Sequence, residues 1–576
     1  MNYKWNHEPL TQEAQDAAIR LAAESNISPI TARLFMQRGI TSADAVQKFF
    51  RPQLHDLYDP FLMKDMDVAI NRLNEAMGKK EKILIYGDYD VDGCTAVALV
   101  YRFLQKYYSN LDFYIPDRYD EGYGVSKRGI DLAYEKGVSL IIVLDCGIKA
   151  IEEIKYAKEK GIDFIICDHH VPDDELPPAV AILNAKRPDA TYPYKDLSGC
   201  GVGFKFMQAF TISNGIAFSQ LIPLLDLVVV SIASDIVPIM GENRILAYHG
   251  LRQLNNNPSV GLKAITQICG LENKELTMND IIFKIGPRIN ASGRMQNGKA
   301  SVELLIEHNY ETALEKAREI NQYNDERKEL DKKMTEEANS LVENNTELSK
   351  SSAIVICNEE WHKGVIGIVA SRLTEIYFRP AVVLTRSGES LTGSARSVNG
   401  FDVYKAIESC KDLLENFGGH TYAAGLSLKS ENLEEFKRRF NEYVAENIQD
   451  DNTVPSMTID AEIHFNELNY KLCNDLRHMR PFGPGNEKPI FCTRNVYDYG
   501  TSKVVGREQE HIKLELIDNT SKRVVNGIAF GQSSEARYIK TKRSFDIVYT
   551  IEDNTHKKGE IQLHIEDIKA TDEQVS

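Results

Sequence analysis

The 576-residue chain has no apolar run long enough for a bilayer. Its longest, around residues 221–233, carries Asp226 and falls short of the ~20 residues a spanning helix needs. No membrane role is expected. The opening MNYKWNHEPL lacks a basic start followed by an apolar stretch, so no secretory signal is expected and the cytoplasm is the expected compartment. No CxxC pair occurs among the nine scattered cysteines, which speaks against a zinc ribbon and against a disulfide framework. Positive charge is not in excess either. A net charge of −16 argues against a broad non-specific nucleic-acid coat but leaves room for a local basic channel. A cluster of metal-binding carboxylates would itself deepen the negative count. There is no internal repeat and no low-complexity segment. What remains, 43% apolar and 26% charged, is the balance of a soluble globular protein with length for roughly three to four domains.

What is present is a set of apolar runs that each stop at an Asp or a His. KILIYGDYDVDG supplies Asp88, Asp90 and Asp92; SLIIVLDCG supplies Asp145; DFIICDHH supplies Asp168, His169 and His170. A fourth run, LLDLVVVSIASDIVP, ends at Asp235. Carboxylates and imidazoles suit Mn²⁺ or Mg²⁺. Two such ions held close together clamp the attacking and leaving oxygens of a phosphoester. In GDYDVDG, carboxylates at alternate positions gather oxygens on one side of a turn, and Gly87 and Gly93 let the backbone bend and a phosphate approach. An EF-hand loop shares this D-x-D-x-D-G start but needs a Glu at position 12, where Leu99 stands, and a strand precedes the loop here. Asp145 reads as a bridging carboxylate or as a cap of the helical stretch that follows. In Asp168-His169-His170, one imidazole can bind metal, its neighbour can polarise a phosphate, and Asp168 can fix a ring tautomer from behind. These residues point to a metal-dependent phosphoesterase.

The pattern predicts an α/β fold. From residue 82 to about 237, strands alternate with helical segments at 94–108, 126–136 and 148–160, the signature of a parallel sheet wrapped by helices. Ligands sit outside the carboxyl ends of such strands, where the acidic residues fall. Residues 311–345 are charge-rich with no Pro or Gly and predict one long linking helix, with pairs such as Glu329–Lys333. A second α/β domain follows, and short strands with turns from about 455 predict a small barrel, most economically an OB-fold. The expected division is a helical lead-in at 1–80, a catalytic domain at 81–305, the linking helix at 306–348, the second α/β domain at 349–450 and the barrel at 455–570. The tail TDEQVS is expected to fray.

In order and spacing, GDYDVDG, VLDCG, CDHH and ASDIVP resemble the four motifs of the DHH phosphoesterase superfamily. The resemblance implies a two-metal site at Asp90, Asp92, Asp145, His169 and Asp235. Asp88 stands where other branches use an upstream His, and counts as a metal residue whether or not it ligates directly. His170 is implied to lie near the scissile phosphate. IPDRYDEGYG, FKIGPRINASGRM, EWHKGVIGIVASRL, GSARS, FGGHTYAAG and RPFGPGNEKPIF further resemble the bacterial RecJ exonucleases, over nearly the whole chain. This implies a second, DHH-associated α/β domain and substrate-binding roles for Arg118, Tyr123, Arg288, Asn290, Arg294, Ser371, Arg372, Arg396, Gly419 and His420. Read physically, Arg288 and Arg294 flank Asn290 among small residues, which suits phosphate oxygens. Gly418, Gly419 and His420 offer N–H groups and an imidazole, or a plain turn. In the barrel, Tyr497, Tyr499, Phe530 and Tyr538 lie among Lys503, Arg507, Lys522 and Arg523, a stacking and phosphate-tracking composition in which half the aromatics are core.

The implied activity is a 5′→3′ exonuclease specific for single-stranded DNA, using two Mn²⁺ or Mg²⁺ ions, in repair and recombination. Strand selection would be steric. Single-stranded DNA is the expected partner, with a single-strand-binding protein and a helicase as further ones, and the chain is expected to be a monomer. A DHH-type oligoribonuclease or cyclic-dinucleotide phosphodiesterase would lack the long helix and barrel. An inactive DNA-binding module would require lost ligands, and the ligand positions are intact.

Overall fold

The structure is a computed structural model that describes residues 3–449, 454–553 and 560–571. Most of TDEQVS lies outside the described residues. The chain divides into two compact units. One holds residues 59–235 and 250 up to the segment before Ser456; the other holds residues 3–58, residues 236–249 and the C-terminal part from Ser456.

The first unit begins with a five-stranded sheet that is parallel throughout. Strands β1 (Lys82–Gly87), β2 (Leu111–Tyr114), β3 (Val138–Leu144), β4 (Asp163–Cys167) and β5 (Ala181–Leu183) take the order β2-β1-β3-β4-β5. Their near-continuous apolar sequences follow from burial on both faces. Helices α1 (Val91–Leu104), α2 (Lys127–Glu135) and α3 (Ile151–Glu159) are the crossovers. Ser126 caps α2 by accepting from Gly129 N. Two buried apolar helices, α4 (Gly199–Ser213) and α5 (Leu225–Ser234), follow the sheet. The strand order reverses between β1 and β3, and crevices at such a switch point are where doubly wound sheets bind ligands.

Helix α6 (Gly286–Met295) leads toward the long helix α7 (Tyr310–Glu343), which Asn309 caps through Thr312 N. The helix matches the charge-rich stretch 311–345 within two residues and is shorter than the 306–348 division at both ends. It is not a bare linker, because Ala313, Ala317, Ile320, Met334, Ala338 and Val342 are buried along one side. Lys333 reaches toward Glu337 at 3.9 Å rather than toward Glu329.

The second α/β domain has strands β6 (Ile354–Cys357), β7 (Ala381–Ser387), β8 (Ser390–Arg396), β9 (Leu414–His420) and β10 (Ala423–Lys429), with helix α8 (Ile366–Tyr377) between the first two. The order is β9-β10-β8-β7-β6, and only the β6–β7 pair is parallel.

The second unit is the barrel. Strands β11 (Phe491–Asp498), β12 (His511–Asp518), β13 (Val524–Ala529), β14 (Phe545–Asp553) and β15 (Ile561–Ala570) run in the order β11-β14-β15-β13-β12. Pairing of Val496 with Asp518 closes the sheet on itself, the topology of an OB-fold. Of the expected lead-in at 1–80, the helices between residues 12 and 50 share the barrel's core, while the helix Met66–Gly78 belongs to the first unit. Leu34, Phe35 and Phe49 share one core with Phe465, Leu472, Phe491 and Phe545. The Asp475 carboxylate accepts from Ser28 N at 2.7 Å and from Thr31 Oγ1 at 2.9 Å. Buried Arg244 donates to the carbonyls of Phe49 and Met479 within the same unit. No described helix is long and apolar enough to cross a membrane.

Candidate metal centre and its arginine-lined approach

Strand β1 runs almost directly into α1. Asp90 is the N-cap, its Oδ1 accepting from Gly93 N at 3.0 Å, so Asp92 lies in the first helical turn instead of a loop. Asp88 is buried at the strand end. Gly87 and Gly93 do not open toward a phosphate. A Cβ on Gly87 would strike Val97, and one on Gly93 would strike the Asp88 backbone, so both serve helix-on-strand packing.

Asp145 follows β3 with φ 59, and its N–H donates to the Cys167 carbonyl of β4 at 2.9 Å. It is not a helix cap: Ala150 occupies the N-cap of α3. A non-glycine residue held in the left-handed region is uncommon and gathers at functional sites. Asp235 is the C-cap of α5. Both oxygens of Asp92 are held from other elements. Oδ2 accepts from Gly199 N at 2.6 Å, and Oδ1 accepts from Cys200 N at 2.8 Å and from Ser231 Oγ at 2.7 Å. The first turn of α4, capped by Ser198, is therefore aimed at a carboxylate, as a helix N-terminus favours.

His169 stands at the centre. Its Nε2 lies 3.2 Å from Asp145 Oδ1, 3.6 Å from Asp235 Oδ2 and 3.8 Å from Asp92 Oδ2. Ligand atoms of Asp145, His169 and His170 all fall within 4.8 Å of one another, as do those of Asp92, His169 and Asp235. Asp88 and Asp90 adjoin this cluster: burial and then the Asp90 charge raise the Asp88 pKa, and burial and then the Asp92 charge raise that of Asp90.

The donor set fits divalent cations on two grounds. Asp88 Oδ1, Asp145 Oδ1 and both ring nitrogens of His169 are buried without a hydrogen-bond partner, which native interiors seldom tolerate. Burial, and then mutual repulsion, pushes the carboxyls of Asp88 and Asp145 well above the usual range and that of Asp235 up to about 8. Burial also pulls His169 below its ordinary value, favouring the neutral ligand form. Cations would relieve both penalties.

His170 is built differently. Its Nδ1 lies 2.7 Å from Asp168 Oδ1, a carboxylate that also accepts from Ile148 N, His169 N and His170 N. Burial lowers the His170 pKa, but the Asp168 bond and charge outweigh it and raise it to about 9. Tyr123 donates to the Asp145 carbonyl at 3.1 Å and sets its ring edge-on to His170 at 5.9 Å.

The predicted substrate residues divide into two groups. Arg118 lies over the Tyr89 ring at 4.9 Å, and its charge reaches Asp88. Arg294 donates to the Gly364 carbonyl at 3.1 Å, linking the two α/β domains. Burial first, and then Arg118, Arg327 and Arg396, pull its pKa down to about 9. His420, at the end of β9, feels both Arg396 and His170. These groups come together beside the metal cluster. Asn290 Oδ1 is buried without a partner. Arg288 is tethered to Lys284 O and Asn321 Oδ1, and Ser371 Oγ turns back to Gly367 O within α8. Arg372 is exposed near Glu375 at 3.5 Å. Gly419 is neither turn nor free cradle; it pairs with Ala424 in the β9–β10 ladder.

Several functional groups escaped the sequence reading. Arg327 on α7 has a buried Nε without a partner and sits in the fields of Arg288, Arg294 and Arg372, yet it lies inside an ordinary charged helix sequence. The N–H groups of Gly199 and Cys200 were detectable from SGCGVG, a Ser N-cap followed by small residues. Ser231 had no signal. In the barrel, Tyr499 and Phe530 are exposed, while Tyr538 packs partly on the core. Arg523 is structural, donating to the carbonyls of Phe465 and Leu468.

Comparison with known proteins places this geometry. Residues 82–232 match the DHH family N-terminal domain, residues 350–446 the DHHA1 domain and residues 459–567 the RecJ OB domain. The chain is 32% identical over 565 residues to the single-stranded-DNA-specific exonuclease RecJ of Haemophilus influenzae, covering 95% of this chain and 97% of that one. It is 36% identical to the Bacillus subtilis RecJ over 90% of this chain, and spans 65% of that longer protein. The structure of Thermus thermophilus RecJ in complex with Mn²⁺ shares the fold, with TM-score 0.84 at 24% identity over 98% of this chain and 79% of that one. An exonuclease RecJ bound to manganese matches 69% of this chain and 97% of its own, at 31% identity and TM-score 0.59. Three matched domains in order, and 32% identity over nearly the whole length of a RecJ relative, make this chain a member of the RecJ family.

Proposed function

We propose that this chain is a metal-dependent exonuclease that degrades single-stranded DNA from the 5′ end, in DNA repair and recombination. The observation that carries the reading is the buried cluster of Asp and His ligand atoms, with Asp88 Oδ1, Asp145 Oδ1 and both His169 ring nitrogens lacking hydrogen-bond partners, beside the buried, arginine-surrounded Arg294. Asp88, Asp90, Asp92, Asp145, His169 and Asp235 would hold two divalent ions, Mn²⁺ or Mg²⁺, with Asp145 shared. Such ions, when bound, lower the pKa of water and neutralise phosphate oxygens.

The chain's own residues do the rest. Asp92 is immobilised by three donors and Asp145 by its tie to β4, so the ligand frame is set before substrate arrives. His170, kept charged by Asp168, absorbs negative charge at the scissile phosphate as the 3′ oxygen leaves. Tyr123 limits the swing of that imidazole. Arg118, Arg294, Arg327 and Arg396 neutralise successive backbone phosphates, with Arg288, Asn290, Ser371, Arg372, Gly419 and His420 extending the track. Strand selection is steric in this reading: a narrow channel between the two α/β domains would admit one strand. The barrel supplies a further single-strand-binding surface in this reading. A single-strand-binding protein and a helicase are the partners such an enzyme would meet, and a monomer suffices for the chemistry.

The test is digestion of 5′-labelled and 3′-labelled oligonucleotides, single- and double-stranded, DNA and RNA, with Mn²⁺ or Mg²⁺. Mononucleotides should leave first from the 5′ label of single-stranded DNA. Release from the 3′ label first, or equal attack on duplex, would sink the reading.

A further inference from the structure

Phe283 is the most exposed phenylalanine of the first unit, at 72%. It occupies the middle of a single π-helical turn, Ile281–Ile285, between two fully buried isoleucines. The extra residue of a π-turn rotates one side chain out of the helical register, and such turns recur at functional sites. The turn is anchored at both ends. Asp280 closes a capping box with Thr277 and accepts from Lys274 Nζ at 2.7 Å. Gly286 packs so closely on α5 that a Cβ would sit 2.7 Å from Ser234 Oγ, the residue immediately before Asp235 of the metal cluster. An exposed ring is thereby displayed on a turn that packs against α5, the helix that ends at Asp235.

The surroundings are cationic. Lys284 follows in the sequence with a half-exposed side chain. Arg288 donates to the Lys284 carbonyl at 2.7 Å, and Lys328 of α7 lies in the same neighbourhood of Cys269. Asp280 is already engaged by Lys274 and Lys284. An aromatic face flanked by cations suits a base with its phosphates better than it suits an apolar protein surface. We infer that Phe283 is a stacking platform for one base of the bound single strand, with Lys284 and Arg288 on the adjoining phosphates. The inference rests on the single-strand reading above and names a contact within it.

The test measures binding of a fluorescent, phosphorothioate-linked oligothymidylate of about twenty nucleotides to the Mn²⁺-loaded full chain, across a salt series. Phe283→Ala should weaken binding about tenfold, with the slope of log K against log salt unchanged, since stacking releases no counterions. Phe283→Tyr should keep wild-type affinity, and Lys284→Ala should flatten the slope by ~0.7 for one lost phosphate contact. In Phe283→Trp, emission should be quenched as the oligonucleotide binds. Wild-type affinity in Phe283→Ala, or equal losses in the Ala and Tyr variants, overturns the platform and would leave the ring to a protein partner or to local packing. A wild-type chain that does not bind the oligonucleotide overturns the single-strand reading itself.

Discussion

Asp168 Oδ1 and His170 Nδ1 lie 2.7 Å apart, and the same carboxylate gathers the main-chain N–H groups of Ile148, His169 and His170. The anchor of the imidazole is thus built from the backbone at the ends of β3 and β4. Two adjacent histidines consequently take opposite roles. His169 turns its Nε2 into the carboxylate cluster, while His170 is bonded to Asp168 and faces Tyr123. Burial works against the Asp168 charge, but the His170 bond and both imidazoles hold it below the ordinary carboxylate range.

Asp168→Asn keeps the shape and loses the charge that orients His170. A turnover loss of roughly 10–100-fold is expected, with little change in metal affinity by calorimetry. Equal losses in both would mean that Asp168 acts through the ligand cluster instead.

Asp145→Ala removes the carboxylate closest to His169. Nearly all turnover should go, while circular dichroism shows an intact fold. A variant that keeps more than about a tenth of the rate, a loss under ~1.4 kcal/mol of transition-state stabilisation, rules out a shared ligand there.

Gly199→Ala probes the same carboxylate from the other side. The new methyl group would sit 2.6 Å from Asp145 Oδ1, at the residue whose N–H holds Asp92. Helix propensity favours Ala over Gly by ~1 kcal/mol, but overpacking costs ~1–3 kcal/mol and should win. Weakened Mn²⁺ binding with a modest fall in melting temperature is the expected pattern. Unchanged metal affinity would show that the cluster can move aside.

Arg288→Ala should weaken oligonucleotide binding and flatten its salt dependence, with metal affinity unchanged. The side chain also ties α6 to Asn321 of α7, so a stability loss of about 1 kcal/mol should accompany the effect. Lost metal with unchanged DNA binding would reverse the assignment.

The barrel cannot be tested by cutting the chain near residue 455, because that would bare Leu34, Phe35 and Phe49, which share its core. Phe530 is the better probe. It is 54% exposed, with His511 and His564 rings edge-on at 5.0 and 5.5 Å. Phe530→Ala should lower affinity for a strand of roughly thirty nucleotides by about tenfold, since one OB-fold spans ~4–16 nucleotides. Hydrolysis of a trinucleotide, shorter than the ~4–16 nucleotides of one OB-fold site, should fall much less. Equal losses on both lengths would remove the barrel's role in holding long strands.

Strand ends carried most of what the sequence by itself determined. A buried parallel strand must be apolar throughout, so the first polar residue after it stands out, and Asp88, Asp145, Asp168 and His169 are those residues. The barrel was readable for a related reason: β12 alternates buried and half-exposed positions along HIKLELID. The long helix declared itself through uninterrupted helix formers. Only the tertiary structure decided which distant groups complete the site. Asp92 is bonded to Gly199 across 107 residues and to Ser231 across 139, and such pairings leave no periodic trace in the chain. Arg327 looks like any exposed cation of a charged helix until folding sets it among other arginines. The N-terminal helices show the same limit. They read only as a helical lead-in, because a helical sequence does not specify its packing partner, and folding supplied the barrel from the far end of the chain.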